Sequence, residues 1–177
     1  MQVIIVTGTP GTGKSTLAKN LAQASGYLYI NGNTFIRDND LAESYDSKRK
    51  CYIVDEKKLA HSFISFLTDN GKKYPGFIFD SHLSQFIPKK YVDHCIVTSC
   101  DLAILKRRLA KRRYAKQKIR ENLDAEIFSV CSTEAQEAGH NVHPIDTSGN
   151  VHHTKQLVAK SLPKLVRSKL KKASKKQ

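Results

Sequence analysis

The chain has 177 residues, 30 Lys and Arg against 16 Asp and Glu, a formal net charge of +14 and 40% hydrophobic residues. That length fits one domain with small insertions and a sizeable core, and no stretch approaches the ~18 consecutive apolar residues of a membrane span. Four cysteines, Cys51, Cys95, Cys100 and Cys131, are scattered without metal-ligand spacing, which fits a reduced, cytoplasmic protein.

Residues 2–7, with the apolar run Val3 to Val6, read as a first strand that begins almost at the N-terminus, so no signal peptide is expected. Gly8 to Ser15 follow as Gly-Thr-Pro-Gly-Thr-Gly-Lys-Ser, a complete P-loop. Gly8, Gly11 and Gly13 let the backbone curl so that successive N–H groups face a phosphate. The loop ends where a helix begins, and the positive end of that helix faces the same anion. Lys14 can reach the β- and γ-phosphates of ATP, and the Ser15 hydroxyl can ligate Mg²⁺. A Gly-rich turn without a ligand is the bland alternative, but the strand before and the helix after are the context this motif requires. Leu17, Ala18, Leu21 and Ala22 supply that helix with one apolar face.

Tyr27 to Ile30 form a second strand. Residues 31–50 are polar and irregular, with a short helix expected near Thr34 to Leu41. Asp55 caps a helix carrying Leu59, Phe63, Phe66 and Leu67, which the Gly71 to Gly76 stretch ends. Phe77 to Phe79 are a buried strand ending at Asp80, and His94 to Thr98 are another. A helix over 102–112 follows, then one long helix over 115–138 with Ile119, Leu123, Ile127 and Val130 on a stripe. Val142 to Ile145 are the last strand, and a basic C-terminal helix interrupted by Pro163 closes the chain.

Strands separated by helices predict an α/β fold: a parallel five-stranded sheet with helices on both faces, three layers in all. Ligands of such sheets bind at the carboxyl ends of the strands. Three elements fall there: the P-loop, Asp80, and residues 146–149. An acid after an apolar strand suits a Walker B position, so Asp80 is expected to share the Mg²⁺ with Ser15. His82, two residues on, is either a surface residue or a group that orients a water. Residues 106–120 hold nine Lys or Arg and no acid, and residues 161–177 hold seven and no acid. The first cluster reads as a closing lid whose arginines neutralise a transferring phosphoryl group, with Arg112 the leading candidate and Arg113 the spare. Polyanion binding and simple solvation are the other readings of both clusters.

The run Thr7 to Thr16 resembles that of nucleoside monophosphate kinases. Tyr29-Ile30-Asn31, Tyr52 to Glu56, Asp80-Ser81-His82, and Glu121-Asn122-Leu123-Asp124-Ala125-Glu126-Ile127-Phe128 resemble one branch, the atypical adenylate kinase and ATPase family of small-ribosomal-subunit assembly. The resemblance runs to about residue 149. It implies the P-loop NTPase fold, a monophosphate-binding insertion at 31–53 and a short lid at 110–120; the chain is expected to form a single domain over 1–177, with a basic tail at 168–177. It implies ATP on Gly11, Thr12, Gly13, Lys14, Ser15 and Thr16, with Arg112 contacting nucleotide from the lid. Lys14, Asp80, His82 and Arg112 become the catalytic set, Arg37 the cation for an AMP acceptor, and Mg²⁺ the metal. A small-subunit ribosomal protein, and rRNA on the basic surface, are the implied partners, in the cytoplasm or, in a eukaryote, the nucleus. No membrane partner is implied. Three departures stand out: Arg113 where the family commonly has Gly, Ser81 where some relatives have an aromatic, and the basic tail. An ATP-switched assembly factor without a kinase role, and a small-metabolite kinase on the same core, are the alternative readings.

Overall fold

The computed structural model describes residues 1–47, 51–150 and 152–160. The expected C-terminal helix around Pro163 and the tail 168–177 lie outside the described residues. In chain order the elements are β1 Gln2–Gly8, α1 Lys14–Ser25, β2 Leu28–Asn31, α2 Gly32–Asp38, β3 Ala42–Asp46, β4 Cys51–Val54, α3 Glu56–Asn70, β5 Gly76–Asp80, β6 His94–Ser99, α4 Leu102–Lys111, α5 Lys116–Ile127, α6 Val130–Glu137 and β7 Val142–Asp146. A helix over 152–160, α7, ends the described chain.

The sheet has five strands in the order β2-β5-β1-β6-β7, all parallel. Central β1 is buried along its whole length, which its unbroken β-branched run permits because neither face meets water. Alternation along β1 divides the core. Val3 and Ile5 join Phe35, Leu59, Phe63, Leu67, Phe77 and Phe79 on one face. Ile4 and Val6 join Leu17, Leu21, Ile78, Ile96 and Val158 on the other. The first face is aromatic: Phe63 stacks on Phe79 with centroids 4.2 Å apart, and Phe35 meets both edge-on at 5.9 and 5.8 Å. A third cluster joins α4 to α5, where Ile119 and Leu123 pack on Leu105 and Leu109.

The five-stranded parallel sheet stands where the sequence placed it, and two local expectations are corrected. The described part of the segment expected to be irregular, 31–47, holds more than a short helix: α2 runs over Gly32–Asp38 behind an Asn31 cap, and Ala42–Asp46 pair antiparallel with Cys51–Val54 as a separate hairpin. The helix over 115–138 is two helices. α5 ends at Ile127, Ser129 adopts a left-handed φ of 52°, and α6 starts at Val130. The change of direction splits the apolar stripe, so Ile127 and Val130 are left 53% and 37% exposed.

The Ser129 side chain is exposed and makes no capping hydrogen bond. A left-handed conformation costs a non-glycine residue roughly 1 kcal/mol. Ser129→Gly is therefore expected to raise the urea midpoint by about that much stability, and Ser129→Val to lower it, read from equilibrium denaturation of both variants.

Candidate active site

The P-loop is built by what lies behind it. Gly8 has φ +138°, and a Cβ there would sit 2.4 Å from the Thr98 carbonyl oxygen, so only glycine lets β1 end so close to β6. Gly13, at φ 94°, caps α1 and delivers the chain into the helix. Three threonines then brace the loop. The Thr12 hydroxyl donates to Thr9 O at 2.8 Å and meets the Thr98 hydroxyl at 2.7 Å. The Thr147 hydroxyl, at the end of β7, bonds to Thr12 O and to Ser99 O. Arg108 of α4 completes the brace by donating to Thr147 O at 2.8 Å. These buried polar groups satisfy one another, which is what permits them in a closed interior.

In front of the loop lies a cavity of about 560 Å³. Gly11, Gly13, Lys14, Ser15 and Thr16 form its floor, and Asp80 and His82 line it from the end of β5. Arg112, Tyr114, Lys118, Glu121 and Asn122 close it on the α4–α5 side, while Asn31, Asn33, Tyr45 and Tyr52 close it on the α2–hairpin side. Lys14 Nζ donates to the carbonyls of Gly8 at 2.6 Å and Thr9 at 3.0 Å. Burial lowers its pKa to about 8, partly offset by the Asp80 carboxylate. Burial also lowers the His82 pKa to about 4, helped by the nearby charges of Lys14 and Lys118, so this imidazole is neutral at physiological pH.

Asp80 is 4% exposed, and its Oδ2 accepts from the Tyr29 hydroxyl at 2.8 Å. Asn31 donates to the same hydroxyl at 3.2 Å. Burial raises the Tyr29 pKa, and Asn31 and Ser15 pull against that rise. The result is a buried carboxylate held by Tyr29 and lining the same cavity as Ser15. Both are hard oxygen donors of the kind Mg²⁺ takes. Among the described residues there is no group of three or more His, Cys, Asp or Glu to hold a metal alone.

Thr12 and Arg37 do not join the cavity lining. The Thr12 side chain is fully buried in the brace. Arg37 points to solvent, 65% exposed, and pairs with its neighbour Asp38 at 2.9 Å. It does lie one helical turn beyond Asn33, on the same face of α2. Arg112 lines the cavity from the C-cap of α4, and Arg113 follows it with a left-handed φ of 55°. Sequence reasoning placed Thr147 in the strand-end segment 146–149 and Tyr29 in a family motif without giving either a role, and it missed the bracing parts of Thr98 and Arg108. Arg108 was counted among the lid cations, yet its guanidinium is spent on backbone carbonyls and on Cys100 Sγ.

Lys14 titrates near 8 in the folded chain and at 10.5 in the unfolded one. Between these values the unfolded state binds more protons, so this group makes stability rise with pH. Wild type is expected to gain stability over Lys14→Met from pH 8 to 10.5, at up to about 1.4 kcal/mol per pH unit. Urea titrations at three pH values in that window measure the difference, and parallel profiles would refute it.

The geometry has counterparts among known proteins. A family model described as an AAA domain matches residues 4–129. The adenylate kinase isoenzyme 6 homolog of Caenorhabditis elegans is 36% identical over 136 residues, 76% of this chain and 72% of that protein. The adenylate kinase isoenzyme 6 homolog FAP7 of Saccharomyces cerevisiae is 41% identical over 136 residues, 76% of this chain and 66% of that protein. A solved sugar kinase from Janibacter superposes with a TM-score of 0.65 over 95% of this chain and 97% of its own, at 15% identity, which speaks for the fold alone. With its P-loop, strand-end Asp80 and overlying α4–α5 turn, the chain belongs to the atypical adenylate kinases of the isoenzyme 6 type, within the P-loop nucleoside monophosphate kinases.

Proposed function

We propose that this chain transfers the γ-phosphoryl group of ATP reversibly to a nucleoside monophosphate, with AMP as acceptor, and that it also hydrolyses ATP. One observation carries the reading: a single cavity joins the P-loop, a buried strand-end carboxylate and a lid arginine to the α2–hairpin insertion at its other end. In this reading the donor phosphates lie on the amides of Gly11 to Thr16. Lys14 exchanges its two carbonyl partners for the β- and γ-phosphates. An oxygen of the acceptor phosphate attacks the γ-phosphorus, the bond to the β–γ bridging oxygen breaks, and ADP leaves. Ser15 and Asp80 would hold Mg²⁺, which when bound offsets phosphate charge, and Tyr29 keeps the carboxylate aimed. Arg112, in the lid over 110–120, neutralises the migrating group. Arg37, in the acceptor region over 31–53, gives up its exposed pair with Asp38, an interaction worth little in water, for the acceptor phosphate. His82, neutral in the free chain, orients the water in hydrolysis.

The charge distribution favours a second role beside the first, in small-ribosomal-subunit assembly in the cytoplasm or nucleus. Lys106, Arg107, Lys111, Arg113 and Lys116 all face solvent on the outside of α4 and the lid. They offer a polyanion a basic face, and the sequence of residues 161–177 adds seven further Lys and Arg with no acid. A small-subunit ribosomal protein or rRNA is the partner this suggests.

A coupled assay over AMP, CMP, GMP, UMP, shikimate and a sugar tests the first role, with turnover expected on monophosphates, AMP foremost, and none on the last two. Lys14→Ala is expected to abolish it. Arg112→Ala is expected to cost ~10³-fold and Arg113→Ala ~10-fold at most. The reverse order would move the finger by one residue. His82→Gly is expected to depress ATP hydrolysis more than AMP phosphorylation, and an equal loss in both would end its selective role. For the second role, affinity for an rRNA fragment is expected to fall with salt at a log–log slope of roughly −0.7 per phosphate neutralised. Deleting 168–177 should make that slope shallower and leave AMP phosphorylation unchanged. Unchanged RNA affinity after the deletion would shift the contact to 106–120.

A further inference from the structure

Behind His82 lies a buried polar hub that the phosphate chemistry does not use. Gln85, in the turn after β5, is 2% exposed. Its Oε1 accepts from the Thr7 hydroxyl at 2.6 Å. Its Nε2 donates to the His82 carbonyl at 3.0 Å and to Glu134 Oε2 at 2.9 Å. Its own carbonyl accepts from His140 Nε2 at 2.8 Å. These partners fix the orientation of the amide. A carbonyl and an ionised carboxylate only accept, so both must face the nitrogen, and the hydroxyl is left to donate to the oxygen. One side chain thus joins the last residue before the P-loop, the His82 turn and α6. The bond from His140 leaves that ring's Nδ1 buried and without a partner among the described residues, and an orphaned buried group calls for a reason.

The rest of the turn is anchored elsewhere. Ser81 N and the Ser84 hydroxyl both donate to Val6 O, at 3.2 and 3.3 Å. The Asp80 carboxylate is held by Tyr29. Between these anchors stands His82, on a peptide group whose carbonyl goes to Gln85. Among the described residues the His82 ring takes no hydrogen bond, and what bears on it is burial and the charges of Lys14 and Lys118. Its backbone and its packing therefore set its direction.

We propose that Gln85 is a positioning residue for ATP hydrolysis: it holds the His82 peptide and, through it, aims the imidazole. The proposal rests on the reading of His82 as the group that orients the attacking water. In that reaction the water oxygen bonds to the γ-phosphorus and the β–γ bridging oxygen leaves with its electron pair as ADP. Both water protons end on the inorganic phosphate, as dihydrogen phosphate, so a neutral His82 need only accept a hydrogen bond from the water. An acceptor phosphate is held with the rest of its nucleotide, whereas a water is held only by the groups that aim it. A misplacement of about 1 Å can cost ~10²-fold, and that cost falls on hydrolysis, not on phosphoryl transfer to AMP.

The test uses the full chain with Mg·ATP, with and without AMP. Gln85→Leu is expected to lower kcat for hydrolysis ~10- to 100-fold, with the KM for ATP within about 2-fold and AMP phosphorylation within about 3-fold of wild type. In a His82→Gly background the same substitution should lower hydrolysis by no more than about 2-fold further, because residues that act as one unit are not additive. A merely structural role would depress both activities alike and would add to the His82→Gly loss. Gln85→Leu also strips Thr7, His82 and Glu134 of a buried partner, which weakens the fold. The Gln85→Glu/Glu134→Gln double variant answers this. It keeps an acceptor for Thr7 and a bond to α6, and leaves only the His82 carbonyl facing another acceptor. It is expected to melt close to wild type and to keep the hydrolysis deficit. Additive losses in His82→Gly/Gln85→Leu, or wild-type hydrolysis in Gln85→Glu/Glu134→Gln, would overturn the role of Gln85 and leave that of His82 intact. Equal loss of hydrolysis and AMP phosphorylation in His82→Gly alone, or no hydrolysis by the wild type, would instead overturn the reading beneath it.

Discussion

Everything in this site hangs on the P-loop backbone being held open. Curled peptide groups that all aim their N–H at one point repel one another, and left alone the chain would not keep that shape. The structure holds it from behind. Thr12 is tied to Thr98 of β6, Thr147 just after β7 is tied to Thr12, and Arg108 of α4 is tied to Thr147. The loop is thus clamped by two neighbours in the sheet layer and one helix. An anion arriving at the floor meets donors already oriented, and the cost of arranging them has been met in folding. The same brace explains why Gly8 has no room for a side chain: the strand that carries Thr98 must pass close enough to bond the loop.

A parallel sheet makes the rest of the arrangement nearly obligatory. With β1 central, the chain segments after β2 and after β6 leave the sheet on opposite flanks of the P-loop. One flank becomes α2 and the hairpin, the other α4 and α5. Each can vary without disturbing the buried strands, because their contacts with the core are made by a few anchors, such as Phe35 and Ile36 in α2 or Leu105 and Leu109 in α4. The P-loop and Asp80 sit at the ends of buried strands, whereas α2 with the hairpin and α4 with α5 lie on the flanks.

How much of this could be read from residues follows from range. The β1–P-loop–α1 unit is local: composition, period and glycine positions sit within 25 residues, and the structure repeats them element for element. Strand ends at Asp80 and Asp146 are equally local, since each closes a short apolar run. The brace is not. Thr12 and Thr147 are 135 positions apart, and Tyr29 and Asp80 are 51 apart. A threonine or tyrosine carries no mark of a distant partner. The hairpin escaped because its strands bury little: Tyr45, Tyr52 and Ile53 are exposed, so no apolar alternation betrays them. The break between α5 and α6 escaped because Ser129 takes a conformation that sequence rules assign to Gly or Asn.

The electrostatics of the site argue that it is built around a missing negative charge. Lys14 is lowered to about 8 and His82 to about 4, in both cases chiefly by burial, and each is lowered further by a neighbouring cation. Asp80 is the carboxylate that offsets this for Lys14, and it is already engaged by Tyr29. A phosphate on the P-loop would supply the absent charge, and by linkage both cationic forms would become easier to maintain. Lysine is the residue for this position because its charge can respond. An arginine would stay ionised at every pH, whereas Lys14 rests on two carbonyls with its pKa lowered to about 8, a value that an anion on the P-loop would raise.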